Sequence, residues 1–482
     1  MQESERISDS EELQRSLQQI VQLLDKQRLV EELVHRQDMP RHGLVETLVH
    51  KQHVAELQKL LDELDPADIA HLLEALPLED RIRVWDLVKA ERDGEILLEV
   101  SDAVRESLIA AMDTGELANA VGQLDTDEIA DLAPDLPHEV IQDVFTRLSP
   151  EERDQLRAAL SYPEDTVGAL MDFDMVTIRE DVTLEVVLRY LRRMDELPDH
   201  TDKLFVVDRL GVIQGELPLN RLLLHDPEAM VAAVMDDDVV SFRPDDDGRE
   251  AARAFERYDL ISAPVTDVNG KLVGRLTIDA VVDFIREESN AEVLSLGGLR
   301  EEEDIFAPVW KSLKNRWTWL GVNLITAFIA SRVIGVFEGS IEKLAALAAL
   351  MPIVAGIGGN SGNQTITLIV RALALGQITL ANAKQLFAKE IGISVLNGVV
   401  WGSLVGLFAY FFYQSLSLGL VMTLAMILNL MLAALAGVFI PLAMYKLGRD
   451  PAAGASVLIT AITDSGGFFI FLGLATLLLI RG

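Results

Sequence analysis

The chain has 482 residues, room for two or three domains, with 42 Lys+Arg against 76 Asp+Glu and a formal net charge of -34. The charge is unevenly placed: residues 305–482 hold 11 basic and 5 acidic residues, leaving 31 basic and 71 acidic ones in the first 304. So acidic a surface repels nucleic acid and anionic lipid and attracts cations, and the lack of any cysteine excludes a disulfide framework and thiolate metal sites.

The first residues, MQESERISDSEELQRSLQQI, have neither a basic n-region nor an apolar h-region, so no signal peptide is expected and the acidic half is expected in the cytoplasm. Helical periodicity with short Pro and Asp breaks runs to about residue 160. A weak repeat with a spacing of 60 is visible in LDPADIAHLLEALP from Leu64 and LDTDEIADLAPDLP from Leu124. Each copy has an Asp-rich cap, an amphipathic helix and a Pro stop, which predicts stacked helical hairpins in a superhelix over 1–162.

A second repeat, offset by 64, follows: Leu170-Met171 leads to Asp174, Val176, Arg179 and Asp181, and Val234-Met235 leads to Asp238, Val240, Arg243 and Asp245. Each copy continues with an amphipathic helix, a β run (LFVVD, SAPVTD), a glycine turn at Gly211 or Gly270, and a strand ending near Gly215 or Gly274. This α/β repeat over 163–285 resembles a tandem pair of CBS domains, usually regulatory ligand sensors. Many such pairs hold adenosine nucleotides on a Gly-x-x-Thr/Ser-x-x-Asp turn. Here the turns read Gly274-Arg-Leu-Thr277-Ile-Asp-Ala280 and Gly215-Glu-Leu-Pro218-Leu-Asn-Arg221, which leaves nucleotide binding open.

A charged connector over 286–315, broken at Gly297-Gly298, leads into five apolar stretches: 317–337, 343–371, 388–413, 418–445 and 454–480. Each is long enough to cross ~30 Å of hydrocarbon at ~1.5 Å per residue. With the N-terminus inside, the inner flanks hold Lys311, Lys314, Arg316, Arg371, Lys384, Lys389, Lys446 and Arg449, and the outer flanks only Lys343 and Arg481. This asymmetry predicts a multi-pass protein of the plasma membrane with its C-terminus outside, and Trp317 and Trp319 fall where an interfacial belt is expected.

Two stretches carry polar stripes. In MPIVAGIGGNSGNQTITLIVR, Gly356, Asn360, Asn363 and Thr367 share one helical face. Such a stripe either glues helices or offers neutral oxygen to an ion. In ASVLITAITDSGGFFIFLGLATLLL, Ser456, Thr460, Asp464 and Gly467 share a stripe, with the Asp464 carboxylate near mid-membrane. Burying it costs about 2.5–3.5 kcal/mol on insertion scales, so it marks an ion pathway unless it pairs with Arg332 or Arg371 or stays protonated. A lane of oxygen without His or Cys suits hard cations such as Mg2+, and does not by itself separate Mg2+ from Mn2+, Co2+ or Ca2+. A symmetric dimer would bring two copies of Asp464 together around a divalent cation.

The run Pro352-x-x-x-Gly356-x-x-Gly359-Asn360 and the longer GIGGNSGNQTITLIVRALA resemble the signature of the MgtE family, as does Asp450-Pro451-Ala452 followed by Thr463-Asp464 and Gly467. The resemblance covers essentially the whole chain. It implies a multidomain membrane protein: an all-α superhelical N-terminal domain, an α/β tandem CBS pair, a connecting plug helix over 286–315 and a five-helix transmembrane domain over 316–482. It implies a homodimeric magnesium channel or transporter, not an enzyme, with Asp464, Asn360, Asn363, Gly356, Gly359, Thr460 and Ser456 along the pore. It also implies that cytoplasmic Mg2+ bridges sensing acids, at Asp127, Asp247, Asp259, Asp283, Glu288 and Glu292, and locks the plug helix. Ala280, Ala291 and Arg249 stand where some members have acids, and Ser456-Val457 replaces an Asn-Pro pair, so Mg2+ gating is expected to be weaker here. Two other readings are a CBS-regulated carrier of another solute and a membrane-held sensor that transports nothing. A basic residue in the lane would favour the first, and an uncharged last helix the second.

Overall fold

The computed structural model describes residues 14–26, 28, 42–194, 196–297, 299, 303–374, 377–378, 383–449, 451 and 454–480. The expected chain start, Gly298, Asp450, Ala452 and Arg481 lie outside the described residues in whole or part. The chain divides into two bodies, Met1–Glu288 with Glu303–Ala307, and Ser289–Glu302 with Pro308–Gly482.

In the first body the 22-residue helix His42–Glu63 is followed by short helices, among them Pro66–Glu74, Leu78–Trp85, Asp102–Ile109, α1 (Thr126–Leu132) and His138–Arg147. They surround a continuous apolar core that includes Leu72, Leu73, Ile96, Leu97, Leu108, Leu117 and Leu132. The two sequence repeats become Pro66–Glu74 and α1, each preceded by an aspartate at the N-cap position. At α1 the Glu128 carboxylate reaches back to accept from the Asp125 backbone N–H at 2.9 Å, one half of a capping box. Arg81 lies fully buried among these helices and donates to Leu73 O, Leu76 O and Asp304 Oδ2, at 2.9, 3.0 and 2.6 Å.

The second repeat forms β1 (Thr177–Arg179), β2 (Lys203–Val207) and β3 (Ile213–Pro218), then α2 (Gly248–Tyr258), β4 (Ser262–Thr266), β5 (Leu272–Thr277) and α3 (Ile278–Gly297). β1 runs parallel to β2, and β2–β3 and β4–β5 are antiparallel hairpins. The copies exchange their opening segments. Asp236, which starts the second copy, trades backbone bonds with Glu216 of β3 at 2.7 and 2.8 Å. Asp172, which starts the first, trades them with Arg275 of β5, at 2.8 Å each way. A Cβ at Gly215 would sit 2.6 Å from Asp236 O and one at Gly274 2.9 Å from Asp172 O, so both strands need glycine at the crossing. α3 is one continuous helix that starts at Ile278, so the connecting helix begins inside the range expected for the CBS pair.

Among the described residues the second body holds four helices long and apolar enough to span a membrane: α4 (Val309–Val336), α6 (Ala383–Tyr413), α7 (Leu416–Lys446) and a fourth beginning at Ala455. That fourth helix is α8 (Ala455–Ala475), extended by a π-type turn over Thr476–Ile480. The remaining expected span is the 29-residue α5 (Ala346–Ala374), whose Gly-Asn-Ser-Gly-Asn-Gln-Thr run dilutes its apolar character. α7 is the central helix, with 56% of its apolar window buried against 6% for α4, and it packs on α5, α6 and α8. Trp317 is exposed as an interfacial residue would be, whereas Trp319 turns inward and covers Gly454 at the start of α8.

Candidate ion pathway and acidic face

The polar stripe of α5 lies on an open face of the second body. Gly356, Asn360 and Thr367 are exposed and Asn363 is partly buried. The Asn363 Oδ1 is shielded yet has no hydrogen-bond donor, which leaves a neutral oxygen available to a ligand. Thr367 donates to the Asn363 backbone O at 3.0 Å, and on α8 Thr460 donates to Ser456 O at 2.9 Å. Both hydroxyls spend their proton on the helix and keep lone pairs for a cation. Ser456 and Asp464 are partly buried and Thr460 exposed. Among the described residues Asp464 forms no ion pair, with Arg332, Arg371 or any other base.

The packing distinguishes the glycines of the two helices. A Cβ placed on Gly356 would meet open space, as befits a lane residue, and one on Gly359 would lie in ordinary contact with Thr463 Oγ1 of α8, at 3.6 Å. Gly467, placed by periodicity on the Asp464 stripe, is buried against Asn429 of α7. Eleven residues bring a helix back to within about 20° of its starting face, so Gly467 leaves the lane because Asn429 of the neighbouring α7 covers that side of α8.

Two intramembrane polar residues escaped sequence reading. Asn429 is fully buried, donates to Val354 O of α5 at 2.8 Å and has no donor for its own oxygen. Glu390 of α6 is 6% exposed and accepts from Thr365 at 3.5 Å. A lone amide and a lone acid inside apolar runs were the available signals.

In the first body, the acids do not spread evenly. Asp127 is partly buried, and burial first, then Asp172 and its neighbours Glu128 and Asp131, push its carboxyl up to about 8. Asp131, whose carboxyl is raised to about 7 by burial and Glu287, lies near Asp283. Asp125, Glu128, Asp172, Asp283 and Glu287 are all raised as well, chiefly by burial. Asp172 is held by Arg275 at 2.6 Å, and Arg105 and Arg286 offset part of the repulsion at Asp131, Asp283 and Glu287.

Of the other expected sensing acids, Asp247 and Glu288 have protein partners. Asp247 caps α2 by accepting from Arg249 N at 2.8 Å, and Glu288 is paired with the Arg249 guanidinium at 2.5 Å. Asp259 is the exposed left-handed C-cap of α2, with φ of 50°. Glu292 is partly buried on α3 and belongs to the second body. Among the described residues no three His, Cys, Asp or Glu side chains converge into a ready-made metal cage.

Comparison with known proteins bears on both bodies. The family model described as "Divalent cation transporter" (MgtE) matches residues 351–474, the MgtE intracellular N domain matches 64–165, and a CBS domain matches 231–287. The magnesium transporter MgtE of Thermus thermophilus is 33% identical over 441 residues, covering 88% of this chain and 98% of that protein. Its Bacillus subtilis namesake is 24% identical, covering 88% and 94%. The crystal structure of the cytosolic domain of the Mg2+ channel MgtE in complex with ATP is 31% identical, covers 50% of this chain and 98% of that one, and has a TM-score of 0.45. The matched segment 351–474 contains the polar stripes of α5 and α8, and by this similarity the chain belongs to the MgtE family of divalent cation transporters.

Proposed function

We propose that this protein moves Mg2+ across the plasma membrane through a lane built from α5 and α8. The observation that carries the reading is Asp464: a carboxylate inside a membrane helix, without a basic partner among the described residues, on the same helix as Ser456 and Thr460. Asn360 and Asn363 supply neutral oxygen, and the unpaired Asn363 Oδ1 supports a ligand role. Mg2+ keeps most of its waters and needs one or two carboxylates, which such a lane offers. Mn2+ and Co2+ share enough of this chemistry to be carried too.

Both stripes lie on open surfaces of a single chain, which favours a homodimer that closes them around an axis. In this reading residues 1–162 and 163–285 face the cytoplasm as a sensor, 286–315 connect it to the pore, 316–482 form the pore, and the C-terminus lies outside. The raised carboxyls around Asp127 and Asp283 support the sensor role. Mg2+ bound there relieves their mutual repulsion and favours the closed state in proportion to its preference for that state.

Flux of Mg2+ into proteoliposomes tests the pore. Asp464→Ala should abolish or strongly reduce uptake while the detergent-solubilised protein elutes as wild type does. Wild-type uptake by the variant would remove Asp464 from the pathway and sink the assignment.

A further inference from the structure

Asn429 occupies the point where three membrane helices meet. It is the single amide of α7, in the apolar run MILNLML, and its side chain is 0% exposed. Its Nδ2 donates to the Val354 carbonyl of α5 at 2.8 Å, using the second lone pair of an oxygen in the α5 ladder. A Cβ at Gly358 of α5 would lie 2.2 Å from that Nδ2, and one at Gly467 of α8 would lie 3.0 Å from Oδ1. The amide is thus wedged between the bare backbones of α5 and α8. Gly358 is two residues before Asn360, and Gly467 is three after Asp464, so the wedge sits within a turn of the lane residues on both helices.

An apolar side chain of similar volume would fill this space without stranding an oxygen, yet Oδ1 has no donor. In hydrocarbon an amide with one unmet acceptor is unfavourable, and its directional bond to α5 is what it offers in return. Resting on the ion-lane reading above, we infer that Asn429 is a positioning residue of the lane. It holds α5 and α8 at one separation and register, and so sets the spacing between the Asn360 and Asn363 oxygens and the Asp464 carboxylate. Mg2+ tolerates little change in such spacing, whereas Ca2+ accepts a looser and larger oxygen shell. Loosening the wedge therefore lowers Mg2+ flux and raises the share of Ca2+ admitted.

The test uses full-length protein in proteoliposomes with entrapped Mg2+ or Ca2+ dye, and flux is taken per monodisperse protein. Asn429→Ala lowers Mg2+ flux roughly tenfold, the scale of one buried hydrogen bond, and raises the Ca2+:Mg2+ ratio. Asn429→Asp, protonated at this depth, donates to Val354 O through its O–H and stays close to wild type in both readings. Gly358→Ala drives a methyl into the amide and reproduces the Asn429→Ala phenotype, and the double variant is no worse than either single one because the methyl then fills vacated space. Should Asn429→Ala not yield monodisperse protein, Asn429→Asp and Gly358→Ala carry the same readings. A wild-type rate and ratio in Asn429→Ala or Gly358→Ala, or effects of the two that multiply as independent ones do, overturn the inference. Silent wild-type protein would overturn the ion-lane reading instead. Active wild type, inactive Asp464→Ala and unaltered Asn429 variants would overturn only the positioning role.

Discussion

Lowering the pH from 8 to 6 should weaken the hold of Mg2+ on the acidic half far more than ordinary carboxylates allow. The Asp127 carboxyl titrates near 8 because burial, and then Asp172, disfavour its charge. A cation ligand must be ionised. With that value, about half of the Asp127 carboxyls are ionised at pH 8 and about one in a hundred at pH 6, so the apparent affinity falls roughly fifty-fold through this residue alone. Asp131, raised to about 7 by neighbouring elements packed over its carboxyl, adds to the fall in the same direction, and by less, because solvent still reaches part of its side chain. The accompanying stability change has a definite sign. The folded carboxyl at about 8 lies above its unfolded value near 3.9, so between those limits the native state binds more protons than the unfolded one. Without divalent cation this half loses stability as pH rises toward 8. Mg2+ restores it by replacing the proton. Protection of the solubilised protein against a broad-specificity protease, titrated with Mg2+ at pH 6, 7 and 8 and constant ionic strength, reads the midpoint, each series against its own Mg2+-free control. Asp127→Asn should flatten the pH dependence. A wild-type midpoint that does not move with pH, or an Asp127→Asn variant with the full wild-type dependence, would refute the reasoning.

Two further outcomes follow from pairs that local sequence does not reveal. Arg249→Ala frees Glu288 from its 2.5 Å ion pair, and the Mg2+ concentration that half-closes the pore in patch-clamp recordings should fall a few-fold, the ~0.5–1 kcal/mol scale of an exposed pair. An unmoved midpoint would mean that Glu288 has no part in closure. Arg81→Ala strips partners from the 8% exposed Asp304 and from two buried carbonyls, so the first body should lose about 3–5 kcal/mol in denaturant titration followed by tryptophan fluorescence. A loss below about 1 kcal/mol would show that the buried pair is replaced by water.

The contrast between an acidic first half and an apolar second half, the two internal repeats and the polar stripes all come from patterns that repeat every few residues, and these are properties of the sequence itself. Helical periodicity put Asn360 and Thr367 on one face of α5 and Thr460 beside Asp464 on α8, and the structure keeps them together on open surfaces. The 64-residue offset marked Met171 and Met235 as equivalent, and each lies against the glycine of the other copy's hairpin, Gly274 and Gly215. That exchange itself was decided only by tertiary structure, because strand partners are chosen by backbone bonds between segments tens of residues apart. The same holds for Arg249, which the sequence suggests as a stray repelling charge and which folding pairs with Glu288, 39 residues away. Gly467 turned from the lane to Asn429 because periodicity fixes an angle around one helix, while the neighbouring helix decides which angle is covered. The raised carboxyl of Asp127 has the same origin: charge can be counted along a chain, but desolvation exists only once other elements have closed over the group.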